Sequence, residues 1–156
     1  MITSRRDYLL RIIDEVGRML ARVVFKRSSG AYEEALEIVV QGMERLFSLE
    51  RHQLFQLTPD QQRLRLALDE PPDVARDKLL VYASLSLEAG IVYAQLANNR
   101  MAQASYWNAL SFALAADEYA VTSPPPAYAP HIDHLVSLIG YENLDAGTRR
   151  RVDDRD

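Results

Sequence analysis

Apolar side chains recur at three- and four-residue intervals along most of this chain, a spacing that predicts amphipathic helices rather than strands. Over residues 5 to 27, Leu9, Ile12, Ile13, Val16, Leu20, Val23 and Val24 form one such stripe. Thr3 or Ser4 can cap its start, while Lys26 and Arg27 suit its last turn and Gly30 the stop beyond. A second stripe runs from about Ala31 to Leu49 through Tyr32, Ala35, Leu36, Val39, Met43, Leu46 and Phe47, with Glu33, Glu34, Glu37 and Glu44 on its wet side. Thr58, Pro59 and Gln61 then carry the start signals of a shorter helix reaching about Leu68, which Pro71 and Pro72 bring to an end. Two long helices follow, from about Asp73 to Ala97 and from about Arg100 to Tyr119, with "NNR" as the tight turn.

Beyond them, "TSPPPAYAP" reads as a stiff extended loop, because successive prolines fix the backbone and remove its donors. Ile132, Leu135, Leu138 and Ile139 predict one short closing helix. From Asp145 onward, "DAGTRRRVDDRD" offers a single valine to bury, so residues 145–156 are expected to be a flexible polar tail. The expected organisation is one all-α domain over residues 1–144, a compact array of antiparallel helical hairpins.

The two long hairpins share an internal logic. Gly30, Tyr32, Ala35, Val39 and Gly42 in the first correspond to Ala97, Asn99, Ala102, Tyr106 and Ala109 in the second. Small residues at such places let antiparallel helices approach to the short end of the usual range, about 8 Å, and the larger Val39 or Tyr106 fills the space beside them. Gly90 and Tyr93 extend the second pattern backward, giving "AG--Y---A----A---Y--A", whereas Val23 and Lys26 stand where the first hairpin would need the same pair. The expected packing residues are therefore Ala35, Val39, Gly42, Gly90, Tyr93, Ala102, Tyr106 and Ala109.

This pattern resembles the tetratricopeptide repeat, and Ala35 and Ala102 lie 67 positions apart, near two periods of about 34 residues. The opening "DYLLRIIDEVGRMLARVV" with "YEEALEIVVQGMERLFSL" also resembles an uncharacterised group of bacterial helical proteins distantly related to tetratricopeptide proteins. That resemblance implies a helical-repeat fold and brings no catalytic residues. An open solenoid usually takes three or more repeats, so a compact five- or six-helix domain is the expectation.

Composition narrows the function classes. A net charge of -4 with 48% hydrophobic and 26% charged residues describes an ordinary folded protein and disfavours general attraction to nucleic acid or anionic lipid. With no cysteine, disulfides, cysteine-ligated zinc, iron–sulfur clusters and thiolate nucleophiles are excluded. The N-terminal apolar residues are broken by Arg11, Asp14 and Glu15, and no window reaches a membrane span, so a cytoplasmic protein is expected.

Candidate chemistry is sparse. His131 and His134 could share a helix face, yet they supply two ligands where zinc usually takes three or four, and His52 is remote. Asp14 with Glu15, Glu33 with Glu34 and Glu37, and Asp69 with Glu70 fall on wet faces or near helix starts. No glycine cluster forms a phosphate loop and no serine sits in a nucleophile elbow. The arginines of the first helix alternate with acids and lack an aromatic platform for nucleic acid. No metal, cofactor or catalytic residue is assigned. The expected role is a non-catalytic protein-interaction or scaffold module, with a small helical enzyme or ligand-binding protein as the alternative. Its candidate groove is bordered by Leu80, Leu87, Ile91 and Ala94 on one helix and by Leu20 and Val24 on another, closed by another helix of the chain, by a second copy, or by a peptide partner.

Overall fold

In the computed structural model, which describes residues 4–155, every regular element is helical. Helix α1 spans Arg5–Ser28 and begins where Ser4 Oγ accepts the amide of Asp7 at 3.1 Å; Thr3, the other expected cap, lies outside the described residues. Gly30, at φ 80°, turns the chain into α2, Tyr32–Phe47. A single-turn helix that the periodicity does not show, α3 (Arg51–Leu54), follows, and then α4, Pro59–Ala67. The start of α4 is the expected capping box: Thr58 Oγ1 accepts from the Gln61 amide at 3.2 Å, and Gln61 Oε1 accepts from the Thr58 amide at 2.8 Å.

Helices α5 (Pro72–Gln95) and α6 (Asn99–Asp117) form the second long hairpin, with Asn98 capping α6 through the Met101 amide at 3.2 Å. The first hairpin packs on α5 through both α1 and α2, α4 covers its N-terminal half, and α6 runs along it for most of its length. As a result most of α5 is enclosed: Leu79, Val81, Leu85 and Val92 have no exposed surface, and Arg76, Lys78, Ser84 and Ser86 are buried with them. A helix apolar around most of its circumference has this place open to it, the axis of a core.

The proline-rich connection after α6 is held down at both ends. Arg76 donates to the Ser123 carbonyl at 2.7 Å and to the Pro124 carbonyl at 3.3 Å. Further along, Ser84 Oγ donates to the Tyr128 carbonyl at 3.0 Å, and the Tyr128 ring rests where a Cβ on Gly17 would lie 3.1 Å from it. Burial, reinforced by Asp77 and Asp14, pushes the Tyr128 phenol well above its ordinary pKa. The loop therefore crosses from α6 over α5 to reach α1 before returning to α7, Ile132–Ile139.

The segment expected to be a polar tail carries a helix. After a 3-10 turn at Tyr141–Asn143, α8 spans Ala146–Asp153, begun by Asp145 accepting the Thr148 amide at 2.7 Å. Leu144 and Val152 are buried on either side of that start. Arg149 donates to the carbonyls of Tyr141 and Glu142, Arg151 pairs with Glu118, and Arg155 pairs with Asp133. Arginines that composition alone counts as solvated are here tied to helix ends and neighbouring carboxylates, which offsets part of the ordering entropy.

Candidate functional site

Glycines set how closely the helices meet. A Cβ on Gly90 would lie 2.5 Å from Cε1 of Tyr106, so α5 and α6 reach this separation because residue 90 has no side chain. At Gly42 the nearest atoms are Leu85 Cδ2 at 3.1 Å and Val16 Cγ1 at 3.6 Å, where α1, α2 and α5 converge. With α2 on one flank and α6 on the other, α5 becomes the floor of a groove of 320 Å³. Leu36, Val40 and Met43 line it from α2, Met101, Ala104 and Asn108 from α6, and Tyr82, Ala89 and Tyr93 from α5. Phe55, Leu57 and Pro59 close one end.

Four polar groups of the groove are already engaged in pairs. Tyr82 Oη donates to Gln62 Oε1 at 3.0 Å, and Asn108 Nδ2 donates to Ser86 Oγ at 2.8 Å. Burial raises the Tyr82 phenol, and its hydrogen bonds to Asn108 and Gln62 offset part of that rise. Edge-on rings of Phe47 and Phe112, with centroids 5.0 and 4.6 Å away, fix its orientation. The described lining residues include no Asp, Glu, Lys, Arg or His. Such a surface offers apolar contact and a few hydrogen-bonding edges.

A larger cavity, 510 Å³, lies under the proline-rich loop between α5, α6 and α7. Its arginines hold the chain together: Arg76 is engaged with Asp77, Ser123 and Pro124, and Arg155 with Asp133 and the Val152 carbonyl. His131 lines it from the N-cap position of α7, while His134 is exposed on that helix and Asp133 between them pairs with Arg155 at 2.5 Å. Among the described residues no three His, Asp or Glu side chains gather as a metal site. On α1, Arg5 pairs with Glu70, Arg6 with Asp73 and Arg18 with Asp14.

Of the residues expected to pack the hairpins, Ala35, Val39, Gly42, Gly90, Ala102, Tyr106 and Ala109 are buried, and Tyr93 is half-buried in the groove wall. The six expected to border a groove are divided. Leu20 and Leu80 are buried, Leu87 and Ile91 half-buried against the core, and Val24 and Ala94 exposed. Leu80 faces the cavity under the proline-rich loop, which the other five do not line. The groove between α2 and α6 shares none of them. Sequence reasoning passed over Phe55, Met101, Ala104 and Asn108, and the available signal was Ser86, Gln62 and Asn108, polar residues set among apolar ones near a helix apolar all round.

Among the described residues no helix is long and apolar enough to cross a membrane. The architecture is all-α, built from packed helical hairpins. Comparison with known protein families, curated proteins and solved structures finds no match to the chain.

Proposed function

We propose that this chain is a non-catalytic protein-interaction module of tetratricopeptide-like helical-hairpin type, and that the groove between α2 and α6 takes up an apolar segment of a partner protein. The observation that carries this reading is the groove itself: an uncharged lining, hydrogen-bonding groups already paired in its floor, and large apolar side chains exposed at its edge, Phe55 at 58% and Met101 at 41%. A charged ligand would find no counter-charge there. A leucine- or phenylalanine-bearing segment would gain roughly 1.5–3 kcal/mol for each such side chain fully buried, enough to anchor it without new ion pairs. The resemblance of the hairpins to tetratricopeptide repeats supports the same reading, because such repeats commonly present grooves between helices to peptides.

The test is selection of peptides from a random library on the immobilised protein, followed by fluorescence anisotropy. Ala104→Arg, on an exposed wall position, should weaken the selected peptides by roughly tenfold or more, whereas Leu10→Arg on α1 should not. Selected peptides rich in acidic or basic residues, or binding that survives A104R and is lost in L10R, would overturn the assignment. Light scattering of the unliganded protein checks the competing occupant: a concentration-dependent dimer abolished by A104R would give the groove to a second copy.

A further inference from the structure

A third pocket has the opposite electrical character to the α2–α6 groove. It encloses 270 Å³ where the start of α1 meets the end of α2 and the sides of α4 and α5. Leu9, Ile12, Ile13, Leu46 and Phe47 give it apolar walls, while Arg5, Arg65 and Lys78 supply cations, and the described lining residues include no acid. In a chain whose net charge is -4, this concentration of positive charge around an apolar recess is local and specific.

Lys78 is the informative group. Its side chain is nine-tenths buried, its ammonium makes no hydrogen bond among the described residues, and its carboxylate neighbour, Glu70 Oε2, stands 3.9 Å away. Glu70 is itself buried; its other oxygen is engaged by Arg5 at 2.6 Å, and Oε2 has no hydrogen-bond partner. Burial lowers the Lys78 pKa, Glu70 raises it, and Arg5 and Arg65 lower it further, so the two arginines act on the same small volume. Arg65 is positioned by donating its Nε hydrogen to the Phe47 carbonyl at 3.1 Å, at the C-terminal end of α2. Glu70 therefore lies against two cations, Arg5 and Lys78, and at 3.9 Å from the Lys78 ammonium it leaves room there for a closer oxyanion acceptor.

We propose that this pocket binds a small amphiphilic anion, a carboxylate or phosphate carried on a short apolar chain, with Lys78, Arg5 and Arg65 receiving the charge and Leu9, Ile12 and Phe47 the chain. A carboxylate or phosphate oxygen gives Lys78 the acceptor that Glu70 does not, and two guanidinium groups beside it suit planar or tetrahedral oxyanions. The volume sits just below the range of about 300–1,000 Å³ common for ligand pockets, which selects short chains. The site lies apart from the α2–α6 groove and stands or falls independently of the partner-binding reading.

Hexanoate and hexyl phosphate are the probes, with hexan-1-ol and inorganic phosphate as the separated halves, titrated into the full chain by calorimetry and by amide chemical-shift mapping. Saturable binding of hexanoate, hexyl phosphate or both is expected, with shifts at Tyr8, Ile12, Phe47 and Lys78, and the tighter of the two identifies the headgroup. Lys78→Met should weaken it roughly ten- to hundredfold, the loss of a charge-assisted hydrogen bond from a buried site. If that variant does not fold, Arg65→Gln, at an exposed residue of α4, carries the same test with a smaller loss. Absence of saturable binding by either probe would overturn the proposal. So would hexan-1-ol or inorganic phosphate binding as tightly as the joined molecule, or hexanoate and hexyl phosphate binding unchanged in R65Q and K78M.

Discussion

The two long hairpins close their turns the same way and live in different surroundings. Gly30 at φ 80° and Ala97 at φ 59° occupy matching left-handed positions, and the amide beyond each donates five residues back, from Ala31 to the Lys26 carbonyl and from Asn98 to the Tyr93 carbonyl. Yet α1 keeps a wet face, with Leu10, Val24 and Phe25 exposed, while α5 is enclosed even at Arg76, Lys78, Ser84 and Ser86. A buried helix puts its polar residues to use as ties. Four polar side chains on α5 fasten neighbouring parts of the chain: Arg76 and Ser84 hold the proline-rich loop, Ser86 meets Asn108 of α6, and Tyr82 meets Gln62 of α4.

The largest expected contrast is between core truncation on α5 and surface truncation on α1. Leu85→Ala removes a fully buried side chain at the junction of the hairpins and should cost about 3 kcal/mol, whereas Phe25→Ala, at 68% exposure, should stay within about 0.5 kcal/mol. Denaturant unfolding of the two variants gives both numbers. Equal losses would put α1 as deep in the molecule as α5.

Glycine replacements on α2 and α5 separate two kinds of close contact. Within a helix, Gly→Ala gains about 1 kcal/mol from propensity, and overpacking costs about 1–3 kcal/mol. At Gly90 the new methyl would meet the Tyr106 ring at 2.5 Å, so the cost wins and G90A should unfold at lower denaturant. At Gly42 the nearest neighbour is a methyl of Leu85 at 3.1 Å, which can rotate away, and G42A should be neutral or slightly stabilising. The same midpoint shift in both variants would contradict this packing of α5 on α6.

The turns should respond in opposite directions. Ala97 holds a left-handed conformation that disfavours a Cβ, so Ala97→Gly should raise stability by up to about 1 kcal/mol, and Gly30→Ala should lower it by about the same amount. Thermal unfolding of the pair measures the sign directly. Loss of stability in A97G would show that the second turn is held by contacts of the alanine methyl.

The smallest effect concerns α8. The Thr148 amide and hydroxyl hold the Asp145 carboxyl below the ordinary aspartate range. A lowered folded pKa gives stability that is present above the unfolded value and is lost as pH falls through the folded one. Amide protection factors at Thr148 and Arg149, relative to the intrinsic exchange rate at each pH, should therefore fall below about pH 4, and Asp145→Asn, which still caps but does not titrate, should flatten that dependence. An unchanged acid limb in D145N would assign the effect to another carboxylate.

The helices with one wet face were the legible ones. Stripes through Ile12, Val16 and Leu20, and through Ala35, Val39 and Met43, mark α1 and α2 in periodicity alone, and Thr58 with Gln61 marks the start of α4. Helix α5 was legible as a helix and misleading as a surface: its surplus apolar stripe at Leu80 and Leu87 suggested a groove toward α1, while the loop returning through Tyr128 to Gly17 covers part of that side. Non-local returns of this kind leave no periodic trace. Helix α8 escaped for a related reason, since Leu144 and Val152 are two isolated apolar residues and its remaining ties are arginines reaching Tyr141, Glu118 and Asp133. The α2–α6 groove draws on four separate elements, and only their packing brings Phe55 near Met101.

Native-state hydrogen exchange across a denaturant series tests the place of α5 most directly. If α5 is the enclosed axis that both hairpins share, amides from Leu79 to Val92 should exchange only through global unfolding, at the same free energy as the denaturant transition, while α8 and the outer turns of α1 open at lower free energies. Exchange of the α5 amides through a local opening, at a free energy below that of α1, would contradict it.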